Sequence, residues 1–417
     1  MRSGAINIVR SLQTAGYPAF WVGGCVRDFL LGREPKDYDI VTSALPDEIE
    51  KLFKRTIPVG RKFGVIIVLE GGHEFQVATF RAESDYQDGR HPEQVTFGDA
   101  MADARRRDFT VNGLFYDPIR DELHDWVGGK ADLASRVVRT IGSPAERFGE
   151  DHLRMLRAIR FAAQLGFEIE SATFAALREN AAKIQSISAE RIRDELLKLF
   201  SPPHGARGLD LLRDSGLIEH VFPELAATVR CEQSPDYHPE GSVFNHIRLM
   251  LSLMPENADP LLPWAVLLHD IAKPLTASRD PETGSIHFYE HERIGAEMAE
   301  TILERLRFPR KQIDAVAKAV RCHMQFKDAP QMRKSTLRRL LMRETFPLEL
   351  ELHRLDCLGS HHRLDVYDFL VAQAEELAKQ PEIIPPLVNG NDLLALGVKP
   401  GPAIGKMLAE IREKQLQ

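Results

Sequence analysis

The sequence has few cysteines and no long hydrophobic run. Its 417 residues include four cysteines, at positions 25, 231, 322 and 357, and none of them is part of a CxxC pair. Cysteines this sparse and scattered are typical of free thiols in a reducing compartment, and they argue against a disulfide-stabilised secreted protein. A run of about 18 apolar residues, as a transmembrane helix needs, is also missing. We therefore expect a cytoplasmic protein with no membrane partner.

Signal-peptide features, internal repeats and a basic overall charge are missing as well. The opening MRSGAINIVRSLQTAGYPAFWVGG places Arg10 and Gln13 among its apolar positions, which indicates an amphipathic helix and then a strand. The net charge of −7 argues against a surface that binds nucleic acid throughout. Basic residues nevertheless cluster at Arg105–Arg107 and in MRKSTLRRLLMR, residues 332–343.

The pattern of apolar residues divides the chain into a mixed part and a helical part. Up to about residue 140, AFWVGG, YDIVTS, GVIIVLE and EFQVATFR are strand-like, and SALPDEIEKLF is helix-like with Ser43 as its cap. From SPAERFGEDHLRMLRAIRF onward the apolar spacing is helical. Proline-containing breaks at residues 201–203, 234–241 and 254–260 divide that part. We expect an α+β protein of two to four domains.

A glycine pair marks the first candidate site. WVGGCVRDFLLG predicts a strand, a turn at Gly23–Gly24 and a helix. Glycine lets backbone N–H groups approach an anion, the helix start favours negative charge, and Arg27 can bind phosphate from the same side. By itself this pattern is weak evidence for a phosphate-binding site, because glycine is the default residue of any tight turn.

Two acids that alternate with a tyrosine strengthen that interpretation. In KDYDIVT, Asp37 and Asp39 lie on the same face of an extended segment. Two such carboxylates repel each other unless a cation lies between them, and Mg²⁺ takes one or two carboxylates together with phosphate oxygens. A solvated strand end is the alternative, but the preceding glycine turn, with Arg27 ten residues before Asp37, favours a Mg²⁺–nucleotide site.

The helical half holds an unusual set of histidines and aspartates. His269 and Asp270 are adjacent in the apolar stretch PWAVLLHDIAK, and burying two such groups requires a partner. Imidazole and carboxylate suit Mn, Fe, Ni, Zn or Mg. A single histidine on an apolar helix is more often a hydrogen-bonded core residue. The candidate ligands are His246, His269, Asp270, His291, His323 and Asp356.

Five motifs in order give the chain a family resemblance over about its first 200 residues. They are GGCVRDFLLGREPKDYDIVTS, FRAESDYQDGRHPEQVTF, ARRRDFTVNGLFYD, DWVGGKADLASRVVRTIG and ERFGEDHLRMLRAIRFAAQLGF. Together they resemble class II tRNA nucleotidyltransferases and bacterial poly(A) polymerases. The resemblance implies a polymerase-beta-like head with a small mixed sheet, followed by an all-α neck, body, HD domain and tail. The expected boundaries are 1–140 for the catalytic head, 141–235 for the neck and body, 236–370 for the HD domain and 371–417 for the tail.

The resemblance implies addition of C, C and A to the 3′ end of tRNA from CTP and ATP. Asp37 and Asp39 would hold catalytic Mg²⁺. The residues expected to bind the nucleotide are Gly24, Arg27, Arg107, Asp108, Asp151, Arg154, Arg157 and Arg160. The polar segment 82–92 corresponds to the part of these enzymes needed for the switch to adding A. Gln76 departs from the pattern, because many relatives carry an acid there; Glu74, on the same strand face, is a substitute for that third ligand.

Asp151 and Arg154, three residues apart in EDHLRMLRAIRF, are expected to be neighbours on one helix. The ordinary interpretation is a surface ion pair beside a packed apolar face. In the functional interpretation, the carboxylate accepts from the amino group of cytosine or adenine, and the guanidinium donates to the adjacent ring nitrogen. Uracil and guanine present an acceptor and a donor in the opposite order at these positions, so they do not match. In the resembling family this pair reads the incoming base, and Arg157 and Arg160 assist.

The histidine cluster resembles the HD phosphohydrolase superfamily. The resemblance makes His246, His269, Asp270 and Asp356 the core ligands, and His291 and His323 ligands of a second metal. It implies phosphodiesterase or phosphatase activity, or else an HD scaffold retained with weak or no activity. In GVKPGPAIGKML, Lys399 and Lys406 match the tail that contacts tRNA, although a plain helix-hairpin turn has the same composition.

Three other assignments remain open at the level of the sequence. One is an enzyme that adds only A or a poly(A) polymerase, which FTVNGLFYD slightly favours. Another is an HD-type phosphohydrolase whose nucleotidyl site is secondary. The third is an RNA-binding protein with an inactive head, against which the intact Asp37 and Asp39 pair argues. The chain is expected to be a monomer or a homodimer.

Overall fold

The computed structural model describes residues 1–82, 96–234, 239–379 and 387–416. The chain divides into two compact units, Met1–Leu199 with Leu211–Val221 and Phe200–Asp210 with Phe222–Gln417. Among the described residues, no helix combines the length and apolar character that crossing a membrane requires.

The first unit is built on a mixed sheet, which confirms the predicted fold class. In its described part seven strands lie in the order β3-β4-β5-β2-β1-β6-β7. Strands β2 and β5 pair in parallel, and the other neighbours pair antiparallel. The strands are β1 (Ala19–Val22), β2 (Asp39–Thr42), β3 (Thr56–Gly60), β4 (Val65–Glu70), β5 (His73–Thr79), β6 (Phe115–Asp117) and β7 (Glu122–His124).

All four strands expected from the sequence are present, and β3, β6 and β7 were not predicted. Strand β3 contains Pro58 and is largely exposed at the sheet edge, so it lacks the alternating pattern of a half-buried strand. Strands β6 and β7 have three residues each, which is too short for a periodic signal.

The first helices of this unit pack against the sheet, and the later ones follow it in the chain. After residue 140 they alternate with only a two-residue strand, β9 (Glu168–Ile169), which pairs with β8 (Val137–Val138). The helices are α1 (Arg2–Thr14), α2 (Gly24–Leu30), α3 (Pro46–Leu52), α4 (Ala100–Arg105), α5 (Gly129–Ser135), α6 (Pro144–Glu150), α7 (Leu153–Leu165), α8 (Ser171–Asn180), α9 (Ala189–Leu199), α10 (Gly205–Asp214), whose residues divide between the units, and α11 (Ile218–Val221).

The predicted cap of α3 is wrong. The helix begins at Pro46, and Leu45 occupies the capping position in place of Ser43. Proline favours the first helical position because its ring fixes φ and it has no N–H to leave unpaired. Glu48 Oε2 accepts a hydrogen bond of 2.7 Å from the N–H of the capping residue Leu45, which satisfies one backbone donor at the start of the helix.

The second unit is helical, with one hairpin formed by β10 (Ala277–Arg279) and β11 (Ile286–Phe288). Its α14 is buried at all seven positions, and this apolar helix leads directly into His269 and Asp270. The helices are α12 (Pro223–Ala227), α13 (Val243–Ser252), α14 (Leu262–Leu268), α15 (Lys273–Thr276), α16 (His291–Arg305), α17 (Arg310–Cys322), α18 (Lys334–Leu341), α19 (Phe346–Gly359), α20 (Asp365–Ala378), α21 (Gly390–Ala395) and α22 (Pro402–Leu416).

The motif DWVGGK forms a rigid turn in the first unit. The Asp125 carboxylate accepts hydrogen bonds from the backbone N–H groups of four of the next five residues, at 2.8–3.2 Å. Gly128 has a φ of +81°, which glycine adopts without strain. A Cβ on Gly129 would lie 2.1 Å from the carbonyl oxygen of Thr110, so only glycine fits there.

We expect Gly129→Ala to lower the stability of the first unit by about 1–3 kcal/mol, because the added methyl group must displace backbone. Gly149→Ala in α6 is the matched control, since a Cβ there meets no atom within 4 Å. The measurement is urea unfolding of the full chain followed by tryptophan fluorescence. Equal midpoints for the two variants would contradict the packing argument.

Candidate functional site

The glycine turn joins β1 to α2 as the sequence predicts. Gly23 has a φ of +71°, and α2 begins at Gly24. A side chain on Gly23 would contact Arg107, whose Nη1 lies 3.4 Å from the ideal Cβ position. The turn therefore requires glycine for its backbone conformation and brings Arg107 against it.

Arg27 is held inside the first unit. Its side chain is nearly buried, its Nη1 donates to Asn112 Oδ1 at 2.8 Å, and its Nε donates to Asp28 Oδ1 at 2.9 Å. The guanidinium also lies 5.4 Å from the centre of the Phe161 ring. Arg27 thus connects the glycine turn to residues far away in sequence.

Asp37 and Asp39 are exposed, and Tyr38 between them is buried, as expected for two acids on one face of an extended segment. Among the described residues, neither carboxylate has a hydrogen-bonded or ion-paired cation. The pKa of Asp39 lies above its ordinary value because the protein around it limits its hydration; Asp37 adds to this effect and Arg107 opposes it. Two neighbouring carboxylates without a bonded cation fit a divalent ion.

Gln76 lies beside this pair. Strands β2 and β5 are parallel with Ile40 opposite Val77, so Gln76 neighbours Asp39 across the sheet. Glu74 precedes Gln76 by two residues on β5 and is exposed like Gln76, so both share one strand face. The position of the expected third ligand is therefore present, with an amide in place of a carboxylate.

Arg107 is oriented by an acid that the sequence analysis missed. Asp103 is fully buried, and its Oδ2 accepts hydrogen bonds from Arg107 Nε and Nη2 at 3.2 and 2.9 Å. Burial alone would raise the pKa of Asp103, but the charges of Arg107 and Arg106 hold it below its ordinary value. The i, i+4 spacing in DARRR is the sequence signal for this pair.

Asp108 is the centre of a buried network. Its Oδ1 accepts a hydrogen bond from the Phe109 N–H at 2.8 Å and one from Asn112 Nδ2 at 3.4 Å, and its Oδ2 accepts from Arg157 Nε at 2.8 Å. Burial would raise the pKa of Asp108, but Arg157 holds it below its ordinary value. Since Asn112 also binds Arg27, the network joins the glycine turn to α7.

Arg157 and Arg160 are paired with Glu195 of α9, which the sequence analysis also missed. Arg160 Nε donates to Glu195 Oε2 at 2.6 Å, and Arg157 Nη1 lies 3.7 Å from Oε1. The pKa of Arg157 is raised, chiefly by Asp108, whereas burial lowers that of Arg160. Both guanidinium groups stack near Phe161, at 5.3 and 4.0 Å from its ring centre.

Asp151 and Arg154 are not partners on one helix, which corrects the sequence prediction. Helix α7 begins at Leu153, so Asp151 precedes it. Asp151 Oδ2 accepts a hydrogen bond of 2.7 Å from Arg191 Nη2, and Arg154 is bonded to Glu150 instead. The side chain of Asp151 is 21% exposed and that of Arg154 is 10% exposed, so the carboxylate is the more accessible of the two. Most of the segment 82–92 lies outside the described residues.

In the second unit, the predicted histidine and aspartate residues come together. The structure forms two groups, His246 with His269 and Asp356, and Asp270 with His291 and His323, and in each group the ligand atoms lie within 4.8 Å of one another. Asp270 Oδ1 lies 3.4 Å from His291 Nε2 and 3.8 Å from His323 Nε2.

Each of the four histidines is oriented through its Nδ1 atom. Three of them bond backbone carbonyl oxygens with Nδ1, His269 to Val266 at 2.9 Å, His291 to Phe288 at 2.7 Å and His323 to Val320 at 2.6 Å. The carbonyl oxygens can only accept, so these Nδ1 atoms carry the proton and the Nε2 lone pairs are available. His246 Nδ1 bonds Glu240 Oε1 at 2.8 Å.

The donor set fits a divalent cation. The Nε2 atoms of His291 and His323 are 3.2 Å apart, and the buried His269 Nε2 lies 3.2 Å from Asp270 Oδ2. Burial lowers the pKa of His323 to about 4, so this ring stays neutral. Burial alone would lower the pKa of His246, but Asp356 and Glu240 raise it to about 9. Lone pairs that face one another in this way suit a bound metal.

A cavity opens beside these ligands, and a buried lysine lines it. The cavity has a volume of about 660 Å³ and includes Lys273, Tyr289, Lys327 and Asp356 in its wall. Lys273 Nζ lies 2.7 Å from Asp270 Oδ2 and donates to Gln233 Oε1 at 2.6 Å. The sequence analysis missed Lys273, although its i, i+3 spacing from Asp270 was the available signal.

Three family models match successive parts of the chain. They are described as the poly A polymerase head domain, at residues 19–139, the probable RNA and SrmB-binding site of polymerase A, at residues 166–228, and the HD domain, at residues 238–358. Their order agrees with the two sites described above.

Curated relatives match about half of the chain. A CCA-adding enzyme of Geobacillus sp. (strain WCH70) is 47% identical over 218 residues, which are 52% of this chain and 54% of the relative. One of Lactobacillus helveticus (strain DPC 4571) is 42% identical over 223 residues, with 53% and 55% covered. The chain therefore spans about half the length of the curated relatives it matches.

A solved structure matches nearly the whole chain. The crystal structure of the Bacillus stearothermophilus CCA-adding enzyme in complex with CTP has a TM-score of 0.76 at 26% identity, covering 98% of this chain and 91% of that one. The Thermotoga maritima CCA-adding enzyme complexed with tRNA has the same fold, with a TM-score of 0.55 at 21% identity and coverages of 99% and 90%. By these matches, the chain carries one region similar to the poly A polymerase head domain and one similar to the HD domain, on a fold like that of solved CCA-adding enzymes.

Proposed function

We propose that the chain adds C, C and A, without a nucleic-acid template, to the 3′ end of tRNA from CTP and ATP. Residues 1–140 would form the catalytic head, 141–235 would select the base and bind RNA, 236–370 would form the HD domain, and the tail 371–417 would contact tRNA. Exposed Lys399 and Lys406 support the tail's role. A cytoplasmic monomer or homodimer fits this proposal.

The observation that carries the proposal is the network between the glycine turn and α7. It runs from Arg27 through Asn112 to Asp108, and from there through Arg157 and Glu195 to Arg160. The network thereby fixes the proposed phosphate-binding residue Arg27 relative to Arg157 and Arg160, which are expected to assist in base selection. A site that positions its reactants in advance needs such mutual support.

Different residues of the chain would contribute to different parts of the nucleotide transfer. Gly24, Arg27 and Arg107 would hold the triphosphate, Asp108 would anchor the ribose end of the pocket, and Asp151 and Arg154 would read the base. Asp37 and Asp39 would hold Mg²⁺. That ion, when bound, supplies positive charge at the attacking 3′-oxygen and the leaving pyrophosphate. In this proposal the two carboxylates are sufficient protein ligands for Mg²⁺, and Gln76 would be an uncharged neighbour of the ion.

We expect the wild-type protein to add C, C and A to tRNA that ends at the discriminator base, and A to tRNA that ends in CC. Asp39→Asn should lower the rate of addition by at least about 100-fold, because it removes a metal-holding charge next to the reacting phosphate. Glu34→Gln, an exposed acid in the same segment, is the control and should retain activity. The assay is gel separation of extended tRNA.

Other products would overturn the assignment. Addition of A alone would indicate an A-adding enzyme, and long A tails on unstructured RNA would indicate a poly(A) polymerase. Equal rates for Asp39→Asn and Glu34→Gln would show that Asp39 holds no catalytic ion.

A second activity, metal-dependent phosphohydrolysis in the HD domain, is favoured by the two groups of histidine and aspartate ligand atoms that lie within 4.8 Å of one another. His246, His269, Asp270 and Asp356 would hold one Mn, Ni, Fe, Zn or Mg ion, and His291 and His323 would take part in holding a second. The cavity beside Asp356 would admit the phosphate ester, and Lys273 and Lys327 would attract its charge.

We expect His269→Ala to lower both the bound Mn²⁺ per chain and the hydrolysis of bis(p-nitrophenyl) phosphate, while nucleotide addition continues. Asp37→Asn should lower nucleotide addition and leave the bound Mn²⁺ and the hydrolysis unchanged, because the two ligand sets share no residue. The measurements are metal analysis after dialysis and absorbance at the nitrophenolate band. Bound metal without hydrolysis would identify a retained, inactive scaffold; His269→Ala with unchanged metal content would contradict the ligand assignment.

A further inference from the structure

Helix α9 packs along α7 and supplies two charged side chains to it. Arg191 and Glu195 are four residues apart and therefore share one face of α9. Glu195 holds Arg160 and approaches Arg157, as described above. Arg191 reaches the other end of the same region and bonds Asp151. Helix α9 thus contacts three of the four proposed base-selecting residues, Asp151, Arg157 and Arg160, and not Arg154.

The contact with Arg191 fixes the direction of the Asp151 carboxylate. Oδ2 accepts from Arg191 Nη2 at 2.7 Å, and Oδ1 accepts from the Leu153 N–H at 3.1 Å. A carboxylate has about four acceptor positions, so these two bonds orient it and leave acceptor capacity for a further donor. Because Asp151 is 21% exposed, that capacity is accessible to a substrate.

The guanidinium group of Arg191 is only partly hydrogen-bonded. Its Nη1 atom is buried without a hydrogen-bond partner among the described residues. Leaving a buried N–H unpaired destabilises the folded state. The hydrogen bond from Nη2 to Asp151 is therefore a contact that orients the Arg191 guanidinium.

We propose that Arg191 is a positioning residue that sets base selection by holding the Asp151 carboxylate in one orientation. This inference rests on the proposed nucleotide addition. An oriented carboxylate accepts the amino hydrogens of cytosine or adenine and repels the carbonyl oxygen that uracil and guanine present at the matching position. The substrate class defined by Arg191 and Asp151 is thus nucleoside triphosphates whose base carries an amino donor at that edge.

The test compares full-length Arg191→Gln and Arg191→Lys with wild type, each with one nucleotide at a time. CTP and UTP are supplied with tRNA that ends at the discriminator base, and ATP and GTP with tRNA that ends in CC. In Arg191→Gln, the kcat/KM ratio of CTP to UTP should fall by about 10- to 100-fold, with a similar fall for ATP to GTP. Arg191→Lys should recover part of the ratio, since an ammonium group keeps one charged contact.

Arg193→Gln, the same charge change two residues along α9, is the matched control and should leave both ratios unchanged. Thermal unfolding of every variant accompanies the kinetics, and Arg191→Lys provides the comparison if Arg191→Gln does not fold. Unchanged ratios, or an equal loss for all four nucleotides, would overturn the positioning role while the proposed function stands. A wild-type protein that adds no nucleotide to tRNA would overturn the proposed function itself and this inference with it.

Discussion

The hydrogen bonds and ion pair of the buried Asp108 carboxylate are the interaction on which the first site depends. A buried charge is costly unless it is paired and fully hydrogen-bonded, and Asp108 meets this requirement with a backbone N–H, Asn112 and Arg157. Because those donors come from different elements, the bonds hold the glycine turn and α7 in a fixed relation. Removal of the carboxylate would leave Arg157 without its main partner and would release Asn112, through which Arg27 is held.

In the second site, the histidine rings are oriented by hydrogen bonds at Nδ1, and their Nε2 atoms point at one another and at two aspartates. Backbone carbonyl oxygens fix the protonated Nδ1 atoms of three histidines, and their Nε2 atoms converge with Asp270 and Asp356. Such convergence is unfavourable in an apolar interior without a cation. The apolar α14, which ends immediately before His269, supplies the rigid packing that keeps these groups together.

Local sequence pattern predicted the elements that have strong periodicity or a turn signal, and it missed contacts between distant residues. The strand, glycine turn and helix at residues 19–30 and the alternation of Asp37, Tyr38 and Asp39 follow from local geometry alone. The candidate metal ligands of the second unit were predicted because adjacent His269 and Asp270 conflict with their apolar surroundings. By contrast, the bond between Asp151 and Arg191 spans 40 residues, and the i, i+3 rule chose Arg154 because it assumed that α7 begins two residues early. Glu195 was not predicted as a site residue, because a single acid on a helix gives no local sign that it is buried.

The ring of Phe161 has three guanidinium groups within 5.4 Å, those of Arg27, Arg157 and Arg160, and each is matched by an acid, Asp28, Asp108 or Glu195. The cluster is therefore electrically neutral before any ligand arrives. In the proposed nucleotide addition, an incoming triphosphate would have to compete with these internal carboxylates for the guanidinium groups. The competition would weaken binding of the nucleotide, but the protein would re-form its own ion pairs once pyrophosphate left. A pocket whose charges are already paired would therefore suit repeated binding and release.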